Sequence, residues 1–388
     1  MDPIFNNTEN AFALKTDSQL DRAYFLFKLI SNQPLVRIGT AVTNFAIKAH
    51  LPVESLIRAT VFDHFCGGTT EEECLPVVDN MFQKGVCSVL DYSVEGKEEE
   101  AQFDATLEKI LKILNFVKEK DAIPFAVFKP TGFGRIDLYE KVGNSETLSS
   151  EEQAEWERVL HRFDVVCKKA HEMDVALLID GEESWMQDAA DAIVAAMMLK
   201  YNKEKAIVYN TLQMYRWDRM EYLQQLHIDA KAKGFHIGMK LVRGAYMEKE
   251  NNKAKEEGYT SPICESKAAT DANFDTAVSY MLDHLECMAV FAGTHNEESS
   301  YQLAEIMKEK GVPNNDPRVW FGQLYGMSDH ISFNLAKAGY NVAKYLPFGP
   351  VRDVMPYLIR RAEENTSVAG QTSRELSLLK QERKRRKI

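Results

Sequence analysis

Nowhere among the 388 residues is there an unbroken apolar run near the ~20 residues that a membrane-spanning helix requires. Cysteine is sparse as well. The six, Cys66, Cys74, Cys87, Cys167, Cys264 and Cys287, show no Cys-x-x-Cys spacing and no surrounding set of histidines at ligand spacing. They read as reduced thiols, and neither a disulfide framework nor a metal centre is expected. An excess of positive charge is also missing: the formal net charge is −11, whereas phosphate binding needs a concentrated basic face, so nucleic acid is not an expected partner. Met1 to Phe25 contains Asp2, Glu9 and Asp17 and no apolar core flanked by Arg or Lys, unlike a secretory signal or an Arg-rich transit peptide. A reducing, bacterial cytoplasm is the expected location.

A hydrophobic fraction of 45% beside 27% charged residues suffices to bury a large core, which excludes disorder as the general state. The exception is the end of the chain, where Lys380, Arg383, Lys384, Arg385, Arg386 and Lys387 form a basic tail. It reads first as solvated and disordered, and second as a peripheral contact with anionic lipid of the inner membrane.

From Asp17 to about Val78 the pattern is helical, with Leu20, Ala23, Phe25, Leu26 and Leu29 at three- and four-residue steps. Thereafter short runs of Val, Ile, Leu and Phe alternate with longer amphipathic segments, as parallel strands alternate with crossover helices. Eight runs read as strands: Val86–Tyr92, Phe125–Lys129, Val175–Asp180, Ala206–Asn210, Ile237–Arg243, Met288–Gly293, Val319–Gln323 and Val342–Leu346. Between them lie helical patterns such as Glu151–Lys169, Met186–Lys200 and Ser299–Lys310. Eight such units predict a closed (β/α)8 barrel. An open dinucleotide-binding sheet needs a Gly-rich turn after its first strand, and this chain has LDYSVEG there. The expected organisation is a helical segment over 1–80, the barrel over 81–370 and the basic tail over 371–388.

Polar residues gather at the carboxyl ends of these strands: Asp91, Lys129, Asp180, Gln213, Arg243 with Tyr246, Thr294 with His295, Gln323 and Tyr345. In a (β/α)8 barrel those ends share the face that carries the active site. Past Pro350, Val354, Met355, Leu358 and Ile359 give a last helix its packing face, and Arg360 stands four residues before Glu364 on one side of it. With Arg361 adjacent, two guanidiniums repel unless they share an anion, so the segment reads either as a clamp for a small carboxylate or phosphate, or as a solvated Arg pair. Lys129 ends AVFK and reads as an anion ligand, a Schiff-base nucleophile or the partner of an acid. Asp180 ends LLID. Alternation places Lys240 and Val242 on one side of their strand and Leu241 and Arg243 on the other, without saying which is inside. Gly244 lets a flat ring or a pyrophosphate approach the backbone. Tyr246 and Tyr345 read as walls of an apolar slot or as packed tyrosines, and Trp185, Trp217 and Trp320 as core or interface residues.

Six motifs in this order, FKPTGFGR (Phe128–Arg135), LLIDGEES (Leu177–Ser184), KLVRGAY (Lys240–Tyr246), AGTHN (Ala292–Asn296), FGQLYGMSD (Phe321–Asp329) and YLPFGPVRDVMPYLIRRAEEN (Tyr345–Asn365), resemble proline dehydrogenase. The resemblance runs from about Phe25 onward. It implies a distorted (β/α)8 barrel that binds FAD without a Gly-rich dinucleotide fold. It also implies oxidation of L-proline to Δ1-pyrroline-5-carboxylate by hydride transfer to flavin N5, with electrons passing to a membrane quinone and the product to a separate pyrroline-5-carboxylate dehydrogenase.

By the same resemblance Arg360, Arg361 and Lys129 hold the proline carboxylate. Tyr345, Tyr246 and Leu324 surround the ring, Asp180 supports the cations, and Glu364 pairs with Arg360. The flavin falls to Gln213, Lys240, Val242, Arg243, Gly244, Lys267, Thr270, Thr294, His295 and Asn296. Some relatives carry arginine where this chain has Lys240, and an ammonium cannot reproduce a planar guanidinium against a flavin. The rival activities are hydroxyproline dehydrogenase, disfavoured because a bulky Tyr345 crowds a ring hydroxyl, a Schiff-base aldolase using Lys129 or Lys240, and a barrel that binds amino acids without catalysis.

Overall fold

The computed structural model describes residues 3–32, 34, 39, 57–93, 98–367 and 371–388, with the backbone alone for 3, 362–367, 371 and 372. All eight expected strands are present: β1 Val86–Tyr92, β2 Phe125–Phe128, β3 Ala176–Ile179, β4 Val208–Gln213, β5 Ile237–Val242, β6 Met288–Gly293, β7 Val319–Leu324 and β8 Val342–Phe348. They close into a barrel in chain order. Helices alternate with them, as the sequence pattern predicts. β2, β4 and β8 are buried at every residue, as strands covered on both faces must be.

β4 is the strand whose limits differ most from expectation. The Asn202 side-chain oxygen accepts from the N–H groups of Ile207 (3.0 Å) and Val208 (2.8 Å), which ties up the start of the apolar run and delays the ladder. At the other end the pairing with β5 continues to Gln213↔Val242, so the strand runs three residues past Asn210. The helix Ser150–Met173 begins at a capping box between Ser149 and Glu152 and buries Trp156, Val159, Phe163, Val166, Cys167 and Ala170 along one stripe. All six cysteines are thiols without disulfides.

The chain divides into two compact units, Gly96–Phe321, and Met1–Glu95 with Gly322–Ile388. Within the first, Phe125 of β2 meets the rings of Tyr209, Phe291 and Trp320 edge-on at centroid distances of 5.9, 5.2 and 5.1 Å. Trp320 therefore packs as expected, whereas Trp217 is 58% exposed.

Within the second, β1 and β8 pair along their whole length, from Val86↔Val342 to Tyr92↔Phe348. The helix Asp17–Ile30 buries Leu20, Ala23, Phe27 and Ile30. Its inner stripe is thus set by Phe27 and Ile30, and the expected Phe25 and Leu29 lie outward at 61% and 39% exposure. The basic tail also departs from the disordered reading. Gln371–Arg386 is a helix whose Leu378 and Leu379 share a core cluster with Ala11, Phe12, Leu20, Ala23 and Phe27. Its arginines are taken up inside the chain: Arg383 by Asp21 (2.7 Å), Arg385 by Glu382 (2.9 Å), and Arg386 by Glu382 (2.7 Å), Asp17 (3.0 Å) and the Phe12 carbonyl (2.9 Å). Burying two leucines stabilises the helical state in a way that the charge pattern alone does not reveal.

Candidate active site

In the unit Gly96–Phe321, strand alternation brings three charged side chains together. Lys129 follows β2, Asp180 follows β3, and the Asp180 N–H donates to the Phe128 carbonyl at 3.0 Å, which fixes the relative height of the two strand ends. The Asp180 carboxylate pairs with the Lys240 ammonium from β5 through one oxygen and lies 3.7 Å from the Lys129 Nζ through the other. Lys240 therefore points to the side on which Asp180 sits, which settles the open question of alternation along β5. Burial raises the Asp180 carboxyl, but Lys240 and Lys129 outweigh it and hold the group below its ordinary range. The cluster is two ammoniums to one carboxylate, all three side chains at most 17% exposed.

Beside it stands an acid that the sequence reading passed over. Glu182 accepts from the Thr131 N–H (2.9 Å) and hydroxyl (2.7 Å), and Gln213 donates to its backbone carbonyl at 2.8 Å. Burial pushes its carboxyl up to about 7. The signal was present in LLIDGEES, where Glu182 and Glu183 stand two and three residues past Asp180.

The residues assigned to the cofactor form a second group in the same unit. The N–H groups of Met214 and Tyr215 donate to the carbonyls of Val242 and Arg243, both at 2.7 Å, and so carry the β4–β5 pairing past the strand ends. Gly244 follows with φ +136°, and a Cβ there would fall 2.5 Å from the Tyr215 ring. Arg243 donates through Nε to Asp271 (2.6 Å), through Nη1 to Thr294 (2.7 Å) and through Nη2 to Ser299 (2.9 Å), and its guanidinium sits 4.6 Å from the Phe274 ring centre. Two of the five N–H donors of an arginine lie outside those three bonds. Asp271 also pairs with Lys267, at the start of the helix Lys267–Asp283, so one carboxylate steadies both cations. Thr270 is buried on that helix. Thr294 accepts from the Asn296 N–H at 3.1 Å, and Asn296 caps the helix Glu297–Glu309. His295 lies half-buried between them, and Tyr246 is half-buried just before the helix Met247–Glu257.

The other assigned residues belong to the unit containing β8. Leu324 packs partly buried against a cluster that includes Phe62, Phe65, Met327, Val354 and Leu358. Tyr345 is 7% exposed on β8, and its carbonyl accepts from the Tyr325 N–H at 2.8 Å. Val354, and Met355 and Leu358 of the helix Met355–Ser367, are buried as the spacing predicts, Ile359 packs partly buried, and Tyr357 is buried as well. Arg360 is half-buried on it. Arg361 is 7% exposed with its guanidinium 5.2 Å from the Tyr357 ring centre, which is incompatible with a solvated Arg pair. The side chain of Glu364 lies outside the described residues. Gln323 is buried and accepts from the Ser332 hydroxyl at 2.8 Å.

The family model described as "Proline dehydrogenase" matches residues 74–374. The chain belongs to the proline dehydrogenase family. It is accordingly an oxidoreductase of proline catabolism. Proline dehydrogenase 2, mitochondrial, of Arabidopsis thaliana is 31% identical over 422 residues, covering 97% of this chain and 89% of that protein. The carbapenem antibiotics biosynthesis protein CarD of Pectobacterium carotovorum subsp. carotovorum is 35% identical over 334 residues, covering 86% and 85%. Among solved structures, proline utilization A from Bdellovibrio bacteriovorus, inactivated by N-propargylglycine, superimposes with a TM-score of 0.72 at 19% identity over 97% of this chain. That match concerns the fold, and this chain spans 38% of the longer one. No helix among the described residues is long and apolar enough to cross a membrane.

On the expectation that this group holds a flavin, Gly244→Ala should reduce retained flavin about tenfold or more, since a side chain at that φ is strained and its Cβ would push into Tyr215. Flavin-to-protein absorbance after gel filtration measures it, and full retention would show that the backbone there does not approach a ligand.

Proposed function

We propose that the chain binds FAD and oxidises L-proline to Δ1-pyrroline-5-carboxylate, with a quinone as electron acceptor. The observation that carries this reading is the buried Lys129–Asp180–Lys240 cluster at the strand ends, whose two ammoniums are of the chemistry that receives a small carboxylate. Arg361, buried beside Tyr357, is a cation of the kind that binds a carboxylate bidentately, and Arg360 stands next to it in the chain. In this reading Lys129, Arg360 and Arg361 hold the proline carboxylate, and Asp180 keeps Lys129 and Lys240 oriented.

The cofactor residues fit a flavin dinucleotide. Gln213 is buried, and its Oε1 has no hydrogen-bond partner among the described residues, as expected of an acceptor facing a ligand N–H. The bare backbone at Gly244 admits a flat group. Arg243 and Lys267, with the hydroxyls of Thr270 and Thr294, supply the donors that a pyrophosphate requires, while Lys240, Val242, His295 and Asn296 complete the assigned set. When bound, FAD supplies the hydride acceptor for the carbon next to the ring nitrogen.

The protein's own contribution is positional. A carboxylate fixed at one end of proline leaves the ring a single orientation, and Tyr345, Tyr246 and Leu324 are the apolar groups assigned to define it. Oxidation converts the ring ammonium to an iminium with loss of one hydride and one proton, the proton going to solvent. The iminium nitrogen then re-equilibrates as the product leaves.

Tyr345→Ser is expected to raise KM for proline about tenfold and to narrow the preference for proline over hydroxyproline, because the smaller side chain admits the ring hydroxyl. Steady-state kinetics with both substrates and a soluble quinone analogue test this; an unchanged substrate ratio removes Tyr345 from ring recognition. Borohydride trapping with a carbonyl substrate is expected to leave Lys129 and Lys240 unmodified, against an aldolase.

A further inference from the structure

On the same unit as the cofactor residues, but at the opposite end of β6, three groups of metal-ligating chemistry meet. His227 lies 4% exposed on the helix Arg219–Lys233, and Glu286 and Cys287 immediately precede β6. The His227 Nε2 is 3.4 Å from the Cys287 Sγ, and the Glu286 Oε1 is 3.9 Å from the same sulfur. The ligand atoms of all three lie within 4.8 Å of one another. Around a tetrahedral zinc, bonds of about 2.3 Å to sulfur and about 2.0 Å to nitrogen or oxygen place neighbouring ligand atoms about 3.5 Å apart. The His227–Cys287 distance of 3.4 Å matches that figure, and Glu286, 3.9 Å from the sulfur, needs only a small side-chain rotation to reach it.

The surroundings match too. The His227 Nδ1 lies 2.7 Å from the Tyr280 hydroxyl. That contact suits an Nδ1–H donor, which leaves Nε2 with its lone pair toward Cys287, the orientation that a partner behind a metal-bound histidine enforces. His284 Nδ1 lies 3.4 Å from the Glu286 Oε1, and the two imidazole rings are 4.4 Å apart, so a second histidine stands behind the carboxylate. The thiol and the imidazole share a weak hydrogen bond as they stand, and both become ligands once the thiol gives up its proton.

We infer that His227, Glu286 and Cys287 form a zinc-class divalent metal site at the amino-terminal end of β6, with three protein ligands and one position open to water. The six residues of β6 separate it by about 20 Å from Thr294 and His295, so it lies apart from the chemistry. Its role is a brace. Metal binding ties the helix Arg219–Lys233, which follows β4, to the turn that opens β6, and releases the Cys287 proton to solvent.

The test uses the full chain as purified, stripped with a chelator, incubated with a slight excess of zinc chloride and gel-filtered. Mass-spectrometric metal analysis is expected to find about one zinc per chain in the unaltered protein and in Cys87→Ser, with at least a fivefold loss in His227→Gln and in Cys287→Ser. Circular dichroism reports whether each variant is folded. Cobalt loading supplies a second readout, a thiolate-to-metal charge-transfer band in the difference spectrum that disappears in Cys287→Ser. Absence of zinc from the unaltered protein, or equal zinc in folded His227→Gln and Cys287→Ser, overturns the inference. Neither readout depends on flavin or proline, so failure here leaves the reading of the active site untouched.

Discussion

Asp180→Asn is expected to lower kcat/KM for proline by about 10²–10³-fold, equivalent to about 3–4 kcal/mol of transition-state stabilisation. The asparagine keeps the shape of the side chain and removes the charge between Lys129 and Lys240. Two buried ammoniums then face a neutral amide. Removing one partner from a buried ionic group costs about 3–5 kcal/mol, and losing a proton or moving a lysine relieves that cost. Either response disturbs the group assigned to the substrate carboxylate. Steady-state kinetics together with flavin content separate the two possible routes: a KM effect at full flavin points to Lys129, and a loss of flavin points to Lys240. A folded variant within threefold of the unaltered kcat/KM would show that Asp180 does not organise the site.

The second large effect concerns stability. In the unit containing β8, Asp329 is held between Lys344 (2.8 Å) and Lys15 (3.1 Å), and the Lys344 side chain is fully buried, donating also to the Met327 carbonyl at 2.7 Å. Burial raises the Asp329 carboxyl, but the two lysines overcome it and leave the group well below its ordinary range. Asp329→Asn strands the fully buried Lys344 and the part-buried Lys15 and is expected to destabilise the chain by about 3–5 kcal/mol in urea denaturation. Replacing the central pair by apolar residues, Asp329→Leu with Lys344→Met, should recover most of that loss, because the penalty lies in the unpaired charge. Because the folded-state carboxyl is depressed, its contribution is present above the unfolded pKa and disappears as pH falls through the folded value. The acid limb of the stability profile should therefore flatten in Asp329→Asn. A single-variant loss under 1 kcal/mol would mean that water, rather than Lys15 and Lys344, neutralises Asp329. The ion pair also bears on the site, since Lys344 and Tyr345 are consecutive on β8 and alternation directs them to opposite faces.

Much of the fold was legible because buried parallel strands leave apolar runs that helical segments do not imitate. Val86–Tyr92 and Met288–Gly293 coincide with their expected limits, while β4 was displaced by a side-chain oxygen, Asn202 Oδ1, that imitates a ladder partner. The tail misled because charge was counted without the two leucines that anchor it. Within the site, Lys129 and Asp180 were marked by their position at strand ends, but alternation along β5 left the direction of Lys240 open until Asp180 was seen to pair with it. His227 and Cys287 are 60 residues apart and have no motif between them, so their meeting at 3.4 Å depends on barrel closure rather than spacing.

The most direct measurement is an anaerobic titration of the purified chain with L-proline, followed through the flavin absorbance. Bleaching in proportion to added proline, with one equivalent of Δ1-pyrroline-5-carboxylate per flavin reduced and reoxidation by a quinone analogue, is the expected result. A flavin-loaded protein whose spectrum is unmoved by saturating proline would contradict it.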